Sequence, residues 1–526
     1  MSTTDAAVPE LEDLDGIDPK IFQRRWAVLA TMCLSLVLIV ATVSSVNVAI
    51  PSLSGSALRP TDTQVLWIVD SYALVFAALL LPAGALGDRF GRKGALLIGL
   101  VVFAAASAAS AFMGSANALI ACRGVMGVGA ALIMPSTLSL LQSCFPRRER
   151  AKAIAMWAGF AGAGGAIGPV MGGALLEKFW YGSVFFVAVP IAFVAFVATA
   201  VLAPSSREPS AARLDLVGAA LSILGFGALL AAIIEGPDRG WTDPVVVVGF
   251  VVASVCLLGF VMFERKVRDP LLDMSFFRNR RFAMGSMGIS VTFFGMFSMF
   301  FLLTQYLQYV AGYSALGAGA RGLPFAATMI VVSPRAPAIS HKLGAKRAVG
   351  GGMALMSVGV LLMSFVQRDT SYWYVMACLV LMAAGVGSAM PSLSSGIVQS
   401  VPRHKAGVGA AVNDTTREVG GAIGIAVVGS VVNSIFRSNL APALAGLSSA
   451  QQEFAKHNIA KALGIGRGLA EAGQAEAASA LQVAVQQAFL DGMHIALKVT
   501  AAVVMAAAVV MFVRLPDSGE HGTADS

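Results

Sequence analysis

Among the ionisable residues inside long apolar runs, Asp70, Arg123, Asp414, Arg417 and Glu418 are the candidates for chemistry. A charge at the centre of a membrane helix costs about 2.5–3.5 kcal/mol on insertion scales, so each needs a chemical reason. Helical spacing of about 100° per residue puts Asn413, Arg417, Gly420 and Gly424 on one stripe, with Asp414 and Glu418 beside it, four apart. Two carboxyls that close compete for one proton, while the arginine favours their charged forms. A pair poised in this way binds and releases protons or holds a cation. Asp70 and Arg123 fall at equal depth near the outer ends of their runs. That depth predicts an ion pair in which Asp70 takes a proton from outside and Arg123 answers its charge. Arg321, Arg335 and Lys498 lie near the ends of runs and read as side chains that snorkel to the interface.

Enzyme chemistry has no foothold. There is no Walker A sequence, no G-x-S-x-G and no H-E-x-x-H. The G-x-G-x-x-G match at residues 317–322 opens an apolar run with no preceding strand, so it is not read as a nucleotide site. The five histidines are scattered, and the five cysteines have no C-x-x-C spacing. No catalytic residue, metal or cofactor is expected.

The elements that position these residues follow from composition. The 526 residues are 57% hydrophobic and 13% charged, with mean hydropathy +0.77. Soluble proteins carry about 25% charged residues, and a soluble globule cannot hide this much apolar surface. Apolar segments of membrane-spanning length recur at 26–50, 65–86, 94–113, 118–141, 151–174, 183–203, 215–235, 244–263, 282–304, 317–339, 347–366, 372–396, 408–432 and 492–514. The first is too long for a signal-peptide core and reads as a retained helix.

The basic residues test the count. With the N-terminus in the cytoplasm, 24 of the 37 fall to inside segments, including Lys152, Arg347 and Arg514 at span edges, and 8 to outside loops. Cytoplasmic enrichment in Lys and Arg is the expected topology signal. Both termini are therefore placed in the cytoplasm. The net charge of +8 is a cytoplasmic lining and calls for no nucleic acid.

The segment Asp88-Arg89-Phe90-Gly91-Arg92-Lys93 after span two is echoed by His341-Lys342-Leu343-Gly344-Ala345-Lys346 after span ten. The echo fits a repeated six-helix unit with spans seven and eight inserted. The expected divisions are a cytoplasmic tail at 1–25, a first bundle at 26–203, two inserted helices and linker at 204–281, a second bundle at 282–514 and a tail at 515–526. The outside loop at 433–491 has helical periodicity. It is expected to be a hairpin on the membrane surface or a site for an accessory protein.

Three motifs carry the chemistry of movement. Gly84-x2-Gly87-Asp88-Arg89-x-Gly91-Arg92-Lys93 joins two helices by a sharp turn, with Asp88 placed to pair with an arginine or a neighbouring helix N-terminus. Such a contact locks two helices in one state and releases them in another. Leu119-x3-Arg123-Gly124-x2-Gly127-x-Gly129 occupies span four. Gly164, Gly168 and Gly172 make a flat stripe in span five, with Pro169 to bend it and Gly173 beside it, expected as a hinge or seal between the halves.

With these motifs the chain resembles the major facilitator superfamily. It is further similar to the fourteen-helix drug:proton antiporter branch, the EmrB/QacA type, in Trp67-Ile68-Val69-Asp70-x-Tyr72, Glu235-Gly236-x3-Gly240-Trp241, Asp269-Pro270-Leu271-Leu272-Asp273, Phe277-Arg278-Asn279-Arg280-x-Phe282 and Gln305-Tyr306-Leu307-Gln308-x3-Gly312-Tyr313-Ser314. The resemblance implies an all-α integral membrane fold of two six-helix bundles plus two inserted helices in a bacterial plasma membrane. It implies export of small hydrophobic or amphiphilic compounds in exchange for protons, with no cofactor beyond the gradient. Arg123 would assist proton transfer, and Asn47, Gln305 and Asn413 would line the substrate cavity. The aromatic run Phe293, Phe294, Phe297, Met299 and Phe300 would offer apolar surface or simply core packing. The chain departs from the family pattern at Met126, where Gln is common, and at Thr42 and Met329, where some relatives carry acids. These departures point to neutral or monocationic substrates over dications. A dedicated exporter of one metabolite, antibiotic or lipid on the same fold is the alternative. A non-transporting sensor or enzyme is the distant third.

Overall fold

The computed structural model describes residues 15, 17–54, 58, 60–205, 215–457 and 459–516. Among these every regular element is helical. Fourteen helices are long and apolar enough to cross a membrane. They are α1 (Pro19–Ser54), α2 (Asp62–Phe90), α3 (Arg92–Ala111), α4 (Ala116–Cys144), α5 (Arg147–Leu176) and α6 (Ser183–Leu202). Then come α7 (Leu216–Arg239), α8 (Pro244–Glu264), α9 (Arg280–Val310), α10 (Ala315–Leu343), α11 (Ala345–Met363), α12 (Tyr372–Gln399) and α13 (Ala406–Leu440). Two short helices, α14 (Ser449–His457) and α15 (Ile459–Glu471), precede the last, α16 (Ala475–Arg514).

The helices start where side chains satisfy their first N–H groups. At α2, Thr61 and Gln64 form a reciprocal capping box, and Asp215, Asp243, Asn279 and Ser371 cap α7, α8, α9 and α12. Gly91 and Gly344 break the chain between α2 and α3 and between α10 and α11, with φ of 109° and 84°. Those left-handed values favour glycine, and their matched places give the sequence echo a structural counterpart.

α1–α6 pack as one bundle, chiefly through α2 on α4, α1 on α5 and α3 on α4. α9–α13 and α16 make a second, through α11 on α12 and α16, and α9 on α13. The bundles meet along two seams, α2 with α13 and α5 with α10. α7 and α8 pair with each other, and α7 leans on α2 and α13. α8 is largely uncovered, as a lipid-facing helix should be.

Three departures from the sequence reading are local. Helix α1 begins in the segment read as tail. The segment 433–491 is mostly helix, as its periodicity implies, but its two ends belong to the spanning helices: α13 runs to Leu440 and α16 starts at Ala475, where its Ala-rich start places Ala478, Leu481 and Val485 under α15. Span ten is interrupted, with turns at Arg321–Gly322 and a tighter turn at Ser333–Arg335.

Candidate functional site

α13 carries the most polar buried segment. Asn413 and Asp414 are buried, and Arg417 is nearly so. Asn413 Nδ2 donates to Asp414 Oδ1 at 3.0 Å, and Arg417 Nη1 lies 3.5 Å from the same oxygen. Asn413 Oδ1, Asp414 Oδ2 and Arg417 Nε have no hydrogen-bond partner. Arg417 also spreads over Phe293 of α9 and Trp157 of α5, at 4.5 and 5.8 Å from the ring centroids. The cation therefore sits between the two bundles, held by aromatic faces and one loose carboxylate contact. Glu418, half-buried, is the next group along this side. Gly420 and Gly424 lie against the backbone of α9 at Ser290 and Phe294, and Gly421 against the Phe297 ring. The stripe is thus the packing face that brings α9 and its aromatics close.

The same helix begins on Asp88. Both carboxylate oxygens accept from Gly407 N, at 2.9 and 2.8 Å, and Oδ2 also accepts from Val408 N at 3.2 Å. Arg92 donates to Oδ1 through Nε at 2.9 Å and lies 2.9 Å away through Nη2. A buried carboxylate thus meets a helix N-terminus and a guanidinium at once, where both effects favour its charge. Gly84 packs on Gly407 and Ala411 so closely that a Cβ on either glycine would meet the other's carbonyl. Lys93 Nζ donates to Ala200 O at 2.7 Å, tying the turn to the end of α6. Gly87 is buried, and Arg89 spreads over Phe90.

Arg123 is fully buried on α4. Its Nε donates to Ile68 O at 2.8 Å and its Nη2 to Val69 O at 3.4 Å, and Nη1 has no partner. The guanidinium lies 4.7 Å from the Tyr72 ring centroid. The hydrogen bonds of Arg123 thus go to the α2 backbone. Asp70 instead lines a recess between α2 and α7 with Leu66, Trp67, Leu74, Ala231, Ile234 and Glu235. Glu235 is bridged there by Arg239.

The glycine stripe of α5 does not seal the halves. Gly164, Gly168 and Gly172 face Val40, Ala41, Ser44 and Ser45 of α1, inside the first bundle, and Ser45 Oγ donates to Gly168 O at 2.8 Å. The opposite face makes the seam: Gly159 and Gly162 against Met329 and Ser333, Pro169 against Gly319, and Gly173 against Leu316. A repeat every four residues names one face of a helix but not the partner that covers it.

Arg321 is not a simple snorkelling residue. It lies 3.4 Å from the Tyr313 ring centroid and 5.2 Å from that of Tyr372, Tyr372 Oη donates to Arg321 O at 3.0 Å, and its Nε has no partner. Arg335 and Lys498 are exposed. Of the residues expected to line a cavity, Asn413 turns its amide to Asp414. Gln305 is half-buried ahead of a π-helical turn and donates to Phe301 O of its own helix. Asn47 is on α1, and its side chain lies outside the described residues. Phe293, Phe294 and Met299 are core, while Phe297 and Phe300 are partly covered. Thr42 and Met329 are buried, with Thr42 bonded to Leu38 O and Met329 against Gly162.

The family description "Major Facilitator Superfamily" matches residues 32–425, three quarters of the chain. The chain belongs to this superfamily. Among relatives, the multidrug efflux pump LfrA of Mycolicibacterium smegmatis is 34% identical over 93% of this chain and 96% of its own length. The tetracenomycin C resistance and export protein of Streptomyces glaucescens is 30% identical over 95% and 93%. The methyl viologen resistance protein SmvA of Salmonella typhimurium is 31% identical over 79% and 84%. Two solved structures share the fold. The human organic anion transporter MFSD10 matches with TM-score 0.58 at 15% identity over 93% of this chain and 99% of its own. The proton:xylose symporter XylE matches with TM-score 0.57 at 12% identity over 94% and 96%. As a member of the superfamily the chain is a multi-pass membrane transporter and not an enzyme.

Two site residues escaped the reading of types and spacing. Trp157 reads as one large residue in an Ala/Gly-rich helix, and only the fold puts it under Arg417, its indole N–H donating to Thr137 Oγ1. Tyr72 stands in a quoted stretch, yet only the fold puts it under Arg123 with its hydroxyl buried and unpartnered.

Proposed function

We propose that this protein exports small hydrophobic or amphiphilic molecules from a bacterial cell across the plasma membrane, in exchange for protons. The observation that carries the reading is the buried Asn413–Asp414–Arg417 cluster, with Glu418 beside it, on the helix whose N-terminus clasps Asp88. One element thereby holds both the proton-binding carboxyls and the lock between the bundles. Protonation of Asp414 or Glu418 weakens their hold on Arg417 and frees it from its place between α5 and α9. The seam can then change. Asp70 takes the proton on the outer side, and Arg123 answers its charge through Tyr72 and the α2 backbone. The divisions 26–203 and 282–514 act as the two moving bodies, and 204–281 joins them. The names of two relatives, a multidrug efflux pump and a tetracenomycin C export protein, support a substrate of this class. Thr42 and Met329, buried and uncharged, favour neutral or monocationic compounds. The α14–α15 pair offers an accessory protein its docking place.

The test is uptake into inverted vesicles of a substrate panel, with and without a protonophore. Wild type should accumulate at least one substrate only while the proton gradient stands. Asp414→Asn with Glu418→Gln should abolish accumulation while leaving substrate binding. Uptake that persists with the protonophore for every substrate removes the exchange. Full activity of the double variant removes the α13 assignment, and full activity of Asp70→Asn removes the outer site.

A further inference from the structure

Two carboxyls meet where the inserted helices enter the linker. Asp215 caps α7, its Oδ1 accepting from Gly218 N at 2.8 Å. Glu264 ends α8 and is 3% exposed, its Oε2 accepting from Leu272 N at 3.2 Å. The other oxygen of each, Asp215 Oδ2 and Glu264 Oε1, is buried without a hydrogen-bond partner. Both lie within 2.6 Å of where a Cβ on Gly218 would stand, so the two are at most about 5 Å apart. Gly218 leaves the space in which they meet.

Among the described residues neither carboxyl has a cation at ion-pair distance. The described charged groups of the linker are exposed or make other contacts. Arg265, Lys266, Arg268 and Asp269 of the linker are exposed. Asp273 accepts from Ser275 N. Lys405, ahead of α13, reaches Pro270 O at 3.2 Å. Two ionised carboxylates are acceptors only, and buried side by side they repel and lose their hydration. One proton between them turns the contact into an O–H···O bond.

We propose that Asp215 and Glu264 together bind a single proton, separate from the carboxyls of α2 and α13, and that this proton fastens the linker. Glu264 holds the Leu272 N–H, and Leu271 and Leu272 are buried beneath it. The preceding residue, Pro270, holds Lys405, two positions before the Gly407 N–H that clasps Asp88. Loss of the proton sets the two charges against each other, frees the linker and takes the support from Lys405. The pair therefore reports the proton activity on the linker side of the membrane to the lock on α13.

The test uses the full-length protein in lipid nanodiscs. Infrared spectra at increasing pH should show a protonated-carboxyl band that titrates and that Glu264→Gln reduces; Asp215→Asn, which keeps the cap, should do the same. With Leu272→Cys as reporter, thiol labelling, divided at each pH by that of the same thiol in the unfolded protein to remove its own ionisation, should rise about tenfold from acid to alkaline pH, a shift of one order in the opening equilibrium. Adding Glu264→Gln, whose amide supplies the missing donor, should hold labelling low at every pH. A band unchanged in both variants overturns the proposal. So does labelling that responds to sodium at fixed pH and not to pH, which would make the pair a metal-cation site.

Discussion

Replacing Asp88 by asparagine tests the lock between the bundles most directly. The carboxylate accepts from Gly407 N, Val408 N and Arg92, and all of these contacts are buried. Asparagine keeps one oxygen but turns an NH2 toward donors. A hydrogen bond to a charged group contributes about 1.5–3 kcal/mol, the helix N-terminus about 0.3–1 kcal/mol, and breaking a buried ion pair costs about 3–5 kcal/mol. These overlap, and about 3 kcal/mol is the net expected loss. That shifts the equilibrium between closed and open α2–α13 seam by about two powers of ten. Spin labels at the exposed positions Phe90 and His404, one on each side of the seam, read it by pulsed dipolar spectroscopy. Wild type should show a single short distance, and Asp88→Asn a second, longer one in a large fraction. An unchanged distribution at equal protein stability would refute the reasoning, because the contact would then not hold the seam.

Gly168→Val should destabilise the first bundle by about 1–3 kcal/mol, since its side chain meets the α1 backbone at Ala41; an unchanged melting temperature in detergent contradicts that packing. Tyr72→Phe removes a buried, unpartnered hydroxyl and should not lower stability, while gradient-driven uptake falls; unaltered uptake takes Tyr72 out of the Arg123 route. Arg321→Gln empties the Tyr313–Tyr372 cage and should raise thiol labelling of Leu316→Cys, which packs on Gly173; equal labelling means the cage does not hold the start of α10.

The fold was legible because a membrane leaves few options. Backbone groups in hydrocarbon must be bonded internally, so each long apolar run becomes a helix, and all fourteen runs did. The ends were less legible where helices continue past the apolar stretch. The Ala/Gln-rich start of α16 has helical periodicity in the sequence but reads as part of an outside hairpin and not of the last spanning helix, because polarity marks the membrane edge and not the helix edge. The closeness of Asn413, Asp414 and Arg417 was legible, since they lie within one helical turn and local spacing governs their contacts, but not that Asn413, expected to line a cavity, turns its amide to Asp414.

The sequence by itself determined the helix count, the superfamily and the short roster of ionisable groups inside the apolar runs. The helix count and the roster follow from composition and local period, and the superfamily follows from the resemblance of its motifs. Only the tertiary structure decided partners: that Asp88 meets the start of α13, that Arg123 bonds the α2 backbone, that the α5 glycines face α1, and that Asp215 meets Glu264. Each of these joins residues on different helices. Periodicity names the face of a helix, whereas the neighbour on that face is chosen by how all the helices pack together.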